Sequence, residues 1–161
     1  MERESILVNK SKSIINLLTG YNLKLLDLSL LVLRLTAGFI LFMVGSGKVL
    51  GWFSGSGIDA AIQSYNKMGF SLLLTYLSCY TEFVGGILIM LGFLTRPVCV
   101  LVIINMAVAT SVMIPNGFLG PYGASYPFVF FIIAVVILIA GPMHFSVDAI
   151  ILKLFYSKDK D

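Results

Sequence analysis

The sequence predicts an all-α integral membrane protein: a bundle of four transmembrane helices with both termini cytoplasmic, accompanied by short helices lying in the interfaces. Two observations carry the fold class. Hydrophobic residues make up 58% of the 161-residue chain and charged residues only 12%, with a mean hydropathy of +0.99. That is more apolar side chain than a water-soluble domain of this size can cover. Four stretches, roughly 26–50, 71–94, 97–114 and 126–141, are apolar over lengths close to the ~20 residues that a ~30 Å hydrocarbon core demands of a helix. Lipid cannot satisfy free backbone groups, and the alternation of a barrel strand is absent, so these stretches are read as helices.

A third observation, the placement of positive charge, predicts the orientation. Arg3, Lys10, Lys12 and Lys24 precede the first span, Arg96 occupies the tight turn between the second and third, and Lys153, Lys158 and Lys160 follow the fourth. The opposite side offers Lys67 and the end of the first span, Lys48. This asymmetry predicts a protein of the cytoplasmic (inner) membrane with N and C termini inside. The net charge of +3 follows from the same bias and from attraction to anionic lipid, with no pattern suited to nucleic acid.

Taken in order, residues 1–25 form a charged, broken amphipathic segment with no short apolar core and small-residue cleavage site, so the first span is expected to be retained as an anchor. The 26–50 span carries Arg34 and Lys48. The connection that follows has Trp52 and Phe53, a Ser54-Gly55-Ser56-Gly57 turn, and Ile58, Ala61, Ile62, Tyr65 and Met68 at helical spacing, which predicts a short interfacial helix. The 71–94 span carries Glu82, and the 97–114 span Asn105. Residues 115–127 bear no charge, including Asn116, Gly117, Tyr122 and Tyr126, and are expected to fold over the bundle as a lid. The 126–141 span has no polar side chain between Phe128 and Ile139, and 142–161 reads as an amphipathic cytoplasmic tail. Trp52 and Tyr122 suit an interfacial aromatic belt as well as a ligand.

Cys79 and Cys99 fall at different depths, roughly 15 Å apart, which excludes a disulfide within one chain and leaves them as packing residues. With His144 the single histidine, the chain offers no metal or bis-histidine haem motif.

Glu82 carries the chemistry. An ionised group at bilayer depth costs at least about 2.5–3.5 kcal/mol and needs a partner. Counting 1.5 Å per residue from the presumed membrane edges puts Arg34, Glu82 and Asn105 at one height, so the sequence predicts an Arg34–Glu82 pair in a polar layer with Asn105. Arg34 shares a helix face with Gly38, Leu41, Gly45 and Lys48, and Glu82 shares one with Ser78, Gly85, Ile89 and Gly92. Two readings stay open: glycines and an ion pair that merely fasten two helices, or a layer that serves a ligand. Lys48 likewise either snorkels to the outer headgroups or marks a pocket for an anionic or carbonyl-bearing molecule.

The order of these residues is similar to that of the DoxX family of small four-span membrane proteins. The resemblance runs through Leu33-Arg34-Leu35 with Gly38, Gly45-x-x-Lys48, Glu82 with Gly85-Gly86, the Gly92-Phe93-Leu94-Thr95-Arg96 turn, Asn116-Gly117, Tyr126-Pro127 and Asp148-Ala149. One departure is Val44, where many relatives have a polar residue, often histidine. The resemblance implies a subunit of a quinone-linked or redox-stress membrane oxidoreductase system, with a quinone or small anion in an outward-facing pocket and a soluble redox partner. Arg34, Lys48, Glu82, Asn105, Asn116 and Tyr126 are then the candidate ligand-binding residues, with Lys48 and Tyr126 as donors and Glu82 as the catalytic candidate for proton exchange. The alternatives are a scaffold or assembly factor without a ligand and a small-anion transporter, the latter short of inverted repeats and broken helices. A homo-oligomer would fit any of the three.

Overall fold

The structure, a computed structural model, describes residues 23–120, 123–142 and 144–158. The amphipathic segment expected at 1–25 therefore lies, up to residue 22, outside the described residues, as do Tyr122 and Lys160. Six α-helices follow one another: α1 (Leu23–Leu50), α2 (Gly57–Lys67), α3 (Leu72–Leu91), α4 (Thr95–Met113), α5 (Ser125–Ala140) and α6 (Val147–Lys158), with a 3₁₀ turn at Ile114–Asn116. No strand occurs among the described residues. Helices α1, α3 and α4 are long and apolar enough to cross a membrane, while α5 is equally apolar but shorter, at 16 residues.

The four apolar helices run up and down in sequence order. α1 packs along α3 and α4 along α5, and the α3–α4 contact is looser. One end of the bundle holds the α3–α4 turn and α6; the other holds α2 and residues 114–120 and 123–124 of the connection that follows α4. We call these the turn end and the loop end. α2 rests on the loop-end portions of α1 and α3. The apolar core gathers Leu41, Ile89, Cys99, Val102, Met106 and Ile137, with Cys79 also fully buried. Leu73, Leu77, Ile104 and Ile139 point outward on the faces that lipid would cover.

Close approach of α1 and α3 is set by three glycines, Gly38, Gly86 and Gly45; a Cβ added to Gly45 would strike the Phe83 backbone. A Cβ on Gly38 would lie 2.6 Å from the Gly86 carbonyl oxygen, and one on Gly86 would lie 2.5 Å from the Phe42 nitrogen. Backbone meets backbone there, as small residues permit in membrane helices. Gly85, which shares the sequence-predicted Glu82 face, turns instead toward α4, where a Cβ would find Val98 and Val102 at ordinary distances of 3.4 and 3.7 Å.

The turn end is built from polar groups. α3 ends in a Schellman arrangement: Gly92 adopts φ 65° and donates to Ile89 O, while Phe93 N–H reaches Leu88 O. α4 begins at once, and its N-terminal cap comes from α6. The Asp148 carboxylate accepts from Leu94 N–H at 2.8 Å, from Thr95 N–H at 2.9 Å and from the Thr95 hydroxyl at 2.8 Å, while Asp148 N–H donates to Gly92 O. α6 lies on this end with Phe145, Leu152 and Phe155 exposed, as suits a helix resting in an interface.

Burial pushes the Asp148 carboxyl up, but the hydrogen bonds from Thr95 and Leu94, aided by the Arg34 charge, outweigh it and hold it below its ordinary value of 3.8. A depressed carboxyl contributes stability above its unfolded value and loses it as pH falls through the folded one. Asp148→Ala is expected to lower stability in detergent by about 0.5–2 kcal/mol at neutral pH, the gap to wild type closing in acid below 3.8. Gly86→Ala is expected to cost about 1–3 kcal/mol by driving α1 from α3, whereas Gly85→Ala stays within about 0.5 kcal/mol. Thermal unfolding of both variants checks the pairing of faces.

Candidate functional site

Glu82 is 3% exposed, and its partner is Lys48, not Arg34. The Lys48 ammonium lies 2.7 Å from Oε1 and 2.6 Å from Oε2 of Glu82. Oε1 also takes the Asn105 amide at 3.4 Å, whereas Oε2 has the ammonium close by but no well-directed hydrogen bond. Lys48 donates to the Tyr65 hydroxyl oxygen at 3.4 Å, and that hydroxyl is 3.1 Å from Ser78 Oγ. Asn105 spans from Glu82 to the Ser78 carbonyl oxygen, 3.5 Å away. α1, α2, α3 and α4 each supply a member of this polar cluster.

The expected Arg34–Glu82 pair is therefore corrected. Arg34 is 2% exposed at the turn end. Its Nη1 donates to Pro142 O at 2.8 Å and its Nη2 to Phe145 O, fastening α1 to the segment that leads into α6. A Cβ on Gly92 would strike the same guanidinium, so Arg34 is level with the α3–α4 turn. Glu82 lies ten residues, or roughly 15 Å, up α3 from Gly92. The depth count failed because it took residue 26 as a membrane edge, whereas the helix contacts put Arg34 level with the turn. Below it, Asp27, 8% exposed, meets His144 at 2.8 Å.

Two further candidates make no hydrogen bond to the cluster among the described residues. Asn116 is exposed beside Met68 and Leu119 at the loop end. Tyr126 packs against Phe130 in a tilted ring pair with centroids 4.8 Å apart, within electrostatic reach of Glu82 and Lys48 but joined to neither by a hydrogen bond among the described residues. In the charge-free loop residues 116–120 are exposed, while Gly123 and Ala124 are buried. Backbone bonds from Ala124 to Gly117 and from Ser125 to Phe118 close it on itself. α2 covers the cluster and supplies Tyr65 to it.

Sequence reasoning missed Tyr65 as a member of the site. Its signal was present: Tyr65 lies on the apolar face of an amphipathic helix, where a hydroxyl has to find a polar partner. Ser78, one turn before Glu82, offered the complementary group.

A cavity of about 320 Å³ opens between α3 and α4 beside the cluster. Its outer walls are Leu74, Leu77, Leu101, Ile104 and Val108, all exposed on the lipid-facing side, and its inner end presents Tyr65, Ser78, Thr81 and Asn105. Met68 and Phe70 close it above. Such a space is apolar at the mouth and hydrogen-bonding at the back, suited to a molecule with a lipophilic body and a polar end. Neither Lys48 nor Tyr126 lines it. Among the described residues no three His, Cys, Asp or Glu side chains gather to hold a metal ion.

A helical bundle with apolar outer faces and a buried charged layer defines an integral membrane protein. Residues 29–115, more than half of the chain, match the DoxX family, and the chain belongs to that family. It is similar to a protein of Bacillus subtilis (strain 168) named "Putative oxidoreductase CatD", with 24% identity over 131 residues, covering 81% of this chain and 92% of that one. No solved structure matches it.

Removing one member of a buried ion pair strands the other. Lys48→Met is expected to destabilise the protein by about 3–5 kcal/mol, and adding Glu82→Leu to recover most of that loss. Unfolding in detergent measures both variants.

Proposed function

We propose that this protein is the membrane subunit of an oxidoreductase system and binds a quinone, or a lipophilic carbonyl compound like it, in the cavity between α3 and α4. The observation that carries the reading is the cavity itself, with exposed aliphatic walls leading inward to Asn105, Ser78 and Tyr65. A quinone ring reaches it from the hydrocarbon, where it is dissolved, without crossing water. Its carbonyl oxygens then accept from the Asn105 amide and from the Ser78 and Tyr65 hydroxyls. Lys48 and Glu82 stand behind these donors as a neutral pair, so the back of the cavity is polar without carrying net charge. The donor roles expected of Lys48 and Tyr126 pass to residues that line the cavity.

The 24% likeness to a protein named as an oxidoreductase supports the redox setting. In this reading electrons come from a soluble redox partner. α5 crosses the membrane as a fourth span: its 16 residues reach about 24 Å, and flanking residues or a locally thin bilayer make up the difference. Arg96 and Lys153 at the turn end favour the cytoplasm on that side, with both termini on the cytoplasmic face of the inner membrane.

A scaffold without a ligand would need only the Lys48–Glu82 fastening of α1 to α3. The polar-backed cavity favours a ligand over that reading. Titration of a quinone analogue into the protein in lipid nanodiscs tests it. Asn105→Leu is expected to weaken binding about three- to tenfold, the worth of one hydrogen bond, and Val108→Trp, on the outer wall, to abolish it. Equal affinity in wild type and both variants sinks the proposal.

A further inference from the structure

A second pocket lies on the other side of Lys48 and Tyr65. It is about 450 Å³ and is lined by Gly47 and Lys48 of α1, by Ser54 and Ser56 of the connection, and by Ser64 and Tyr65 of α2. It is more polar than the first cavity: beside Met43, Val44, Phe53 and Ala61 it holds three serine hydroxyls and an ammonium that is 29% exposed. It opens at the loop end, where water rather than hydrocarbon is adjacent. Tyr65 lines both spaces.

We infer that the Tyr65 hydroxyl is a proton relay between the lipid-facing ligand cavity and the water of the loop end, and that ionisable ligands in the cavity exchange protons through the serine-lined pocket. The hydroxyl is held for this role. Its oxygen accepts from Lys48 at 3.4 Å, and Ser78 Oγ is 3.1 Å away on the cavity side. Lys48 faces it from α1, with Glu82 and the Cys79 thiol of α3 and the Tyr126 hydroxyl of α5 around that ammonium; from α4 it meets only the neutral Asn105 across Ser78.

The step balances without any redox partner. A ligand O–H bond breaks with its electron pair left on the ligand oxygen. The proton joins the Tyr65 oxygen as the tyrosine's own proton leaves for water in the polar pocket, so Tyr65 ends unchanged. Return of a proton runs in reverse. Lys48 and Glu82 keep their ion pair throughout and fix the position of the hydroxyl. No other described polar side chain lines both spaces, and the outer walls of the ligand cavity are aliphatic, so the lipid side offers no competing route.

The inference rests on the reading of the α3–α4 cavity as a ligand site, and the experiment separates the two. A hydroxynaphthoquinone, whose visible absorbance reports ionisation of its ring hydroxyl, is bound to the protein in nanodiscs and subjected to a rapid pH jump. Two variants are compared with wild type. Tyr65→Phe removes the relay, and Ala60→Phe fills the polar pocket from α2 without touching the ligand cavity. Both are expected to slow ionisation of the bound probe by at least about tenfold, with probe affinity in Ala60→Phe unchanged. Rates equal to wild type in both variants, with the probe bound, overturn the relay alone. Failure of wild type to bind the probe overturns the ligand reading and the relay with it.

Discussion

The buried carboxylate of Glu82 is the constraint on which the rest of the bundle depends. Inside an apolar bundle it has to be neutralised where it stands, and Lys48 does so from a neighbouring helix at 2.6–2.7 Å. One contact of this kind fixes both the rotation and the register of α1 against α3. Gly38 and Gly86 then fall where the two backbones nearly touch, and Phe42 stacks on Phe83 at 5.6 Å between them. A slip by one turn would separate the charges and press a side chain into a backbone. Electrostatics and sterics thus specify the same arrangement, and that agreement makes a packing unique.

Polar chemistry is divided between the two ends. At the turn end Arg34 and Asp148 satisfy backbone groups: Arg34 the carbonyls of Pro142 and Phe145, Asp148 the free amides at the start of α4. These are tasks of closure, since a helix terminus leaves groups that lipid cannot serve. Toward the loop end Lys48, Tyr65, Ser78, Glu82 and Asn105 bond mostly to one another and border two cavities, one aliphatic and one with serine hydroxyls in its lining. α3 and α4 are loosely packed where the lipid-facing cavity opens, and α2 brings in the one side chain that touches both spaces.

Much of the fold is legible in the sequence because length and hydropathy act locally. The 26–50 run becomes a helix from Leu23 to Leu50, and the 97–114 run one from Thr95 to Met113. The α2 helix follows from spacing alone. Membership of the DoxX family is readable from scattered residues such as Arg34, Lys48 and Glu82. Charge pairing was not readable, because it depends on how far one helix is displaced along another. Assuming equal membrane edges moved Arg34 up to Glu82, when α1 carries Arg34 down to the turn. Asn105 was placed correctly since α4 starts directly from that turn, leaving little slack in the count. In the sequence Asp148 stands out only through the family resemblance; its role as a cap for a helix more than fifty residues away is a tertiary contact with no local signature. Gly85-Gly86 shows the same limit: the pair marks a close approach, and only the packed structure tells that Gly86 makes it.

Glu82 belongs to Lys48, and a distance measured in lipid tests that pairing most directly. Solid-state NMR dipolar recoupling between ¹³C-labelled glutamate carboxyls and either ¹⁵N-lysine or ¹⁵N-arginine, in protein reconstituted into bilayers, reads that distance. Glu82→Gln identifies the Glu82 signal. Strong dephasing of that signal by lysine Nζ, lost in Lys48→Met, and none by arginine nitrogens is the predicted result. Dephasing by arginine, abolished in Arg34→Lys, would contradict the pairing and, with it, the cluster built around it.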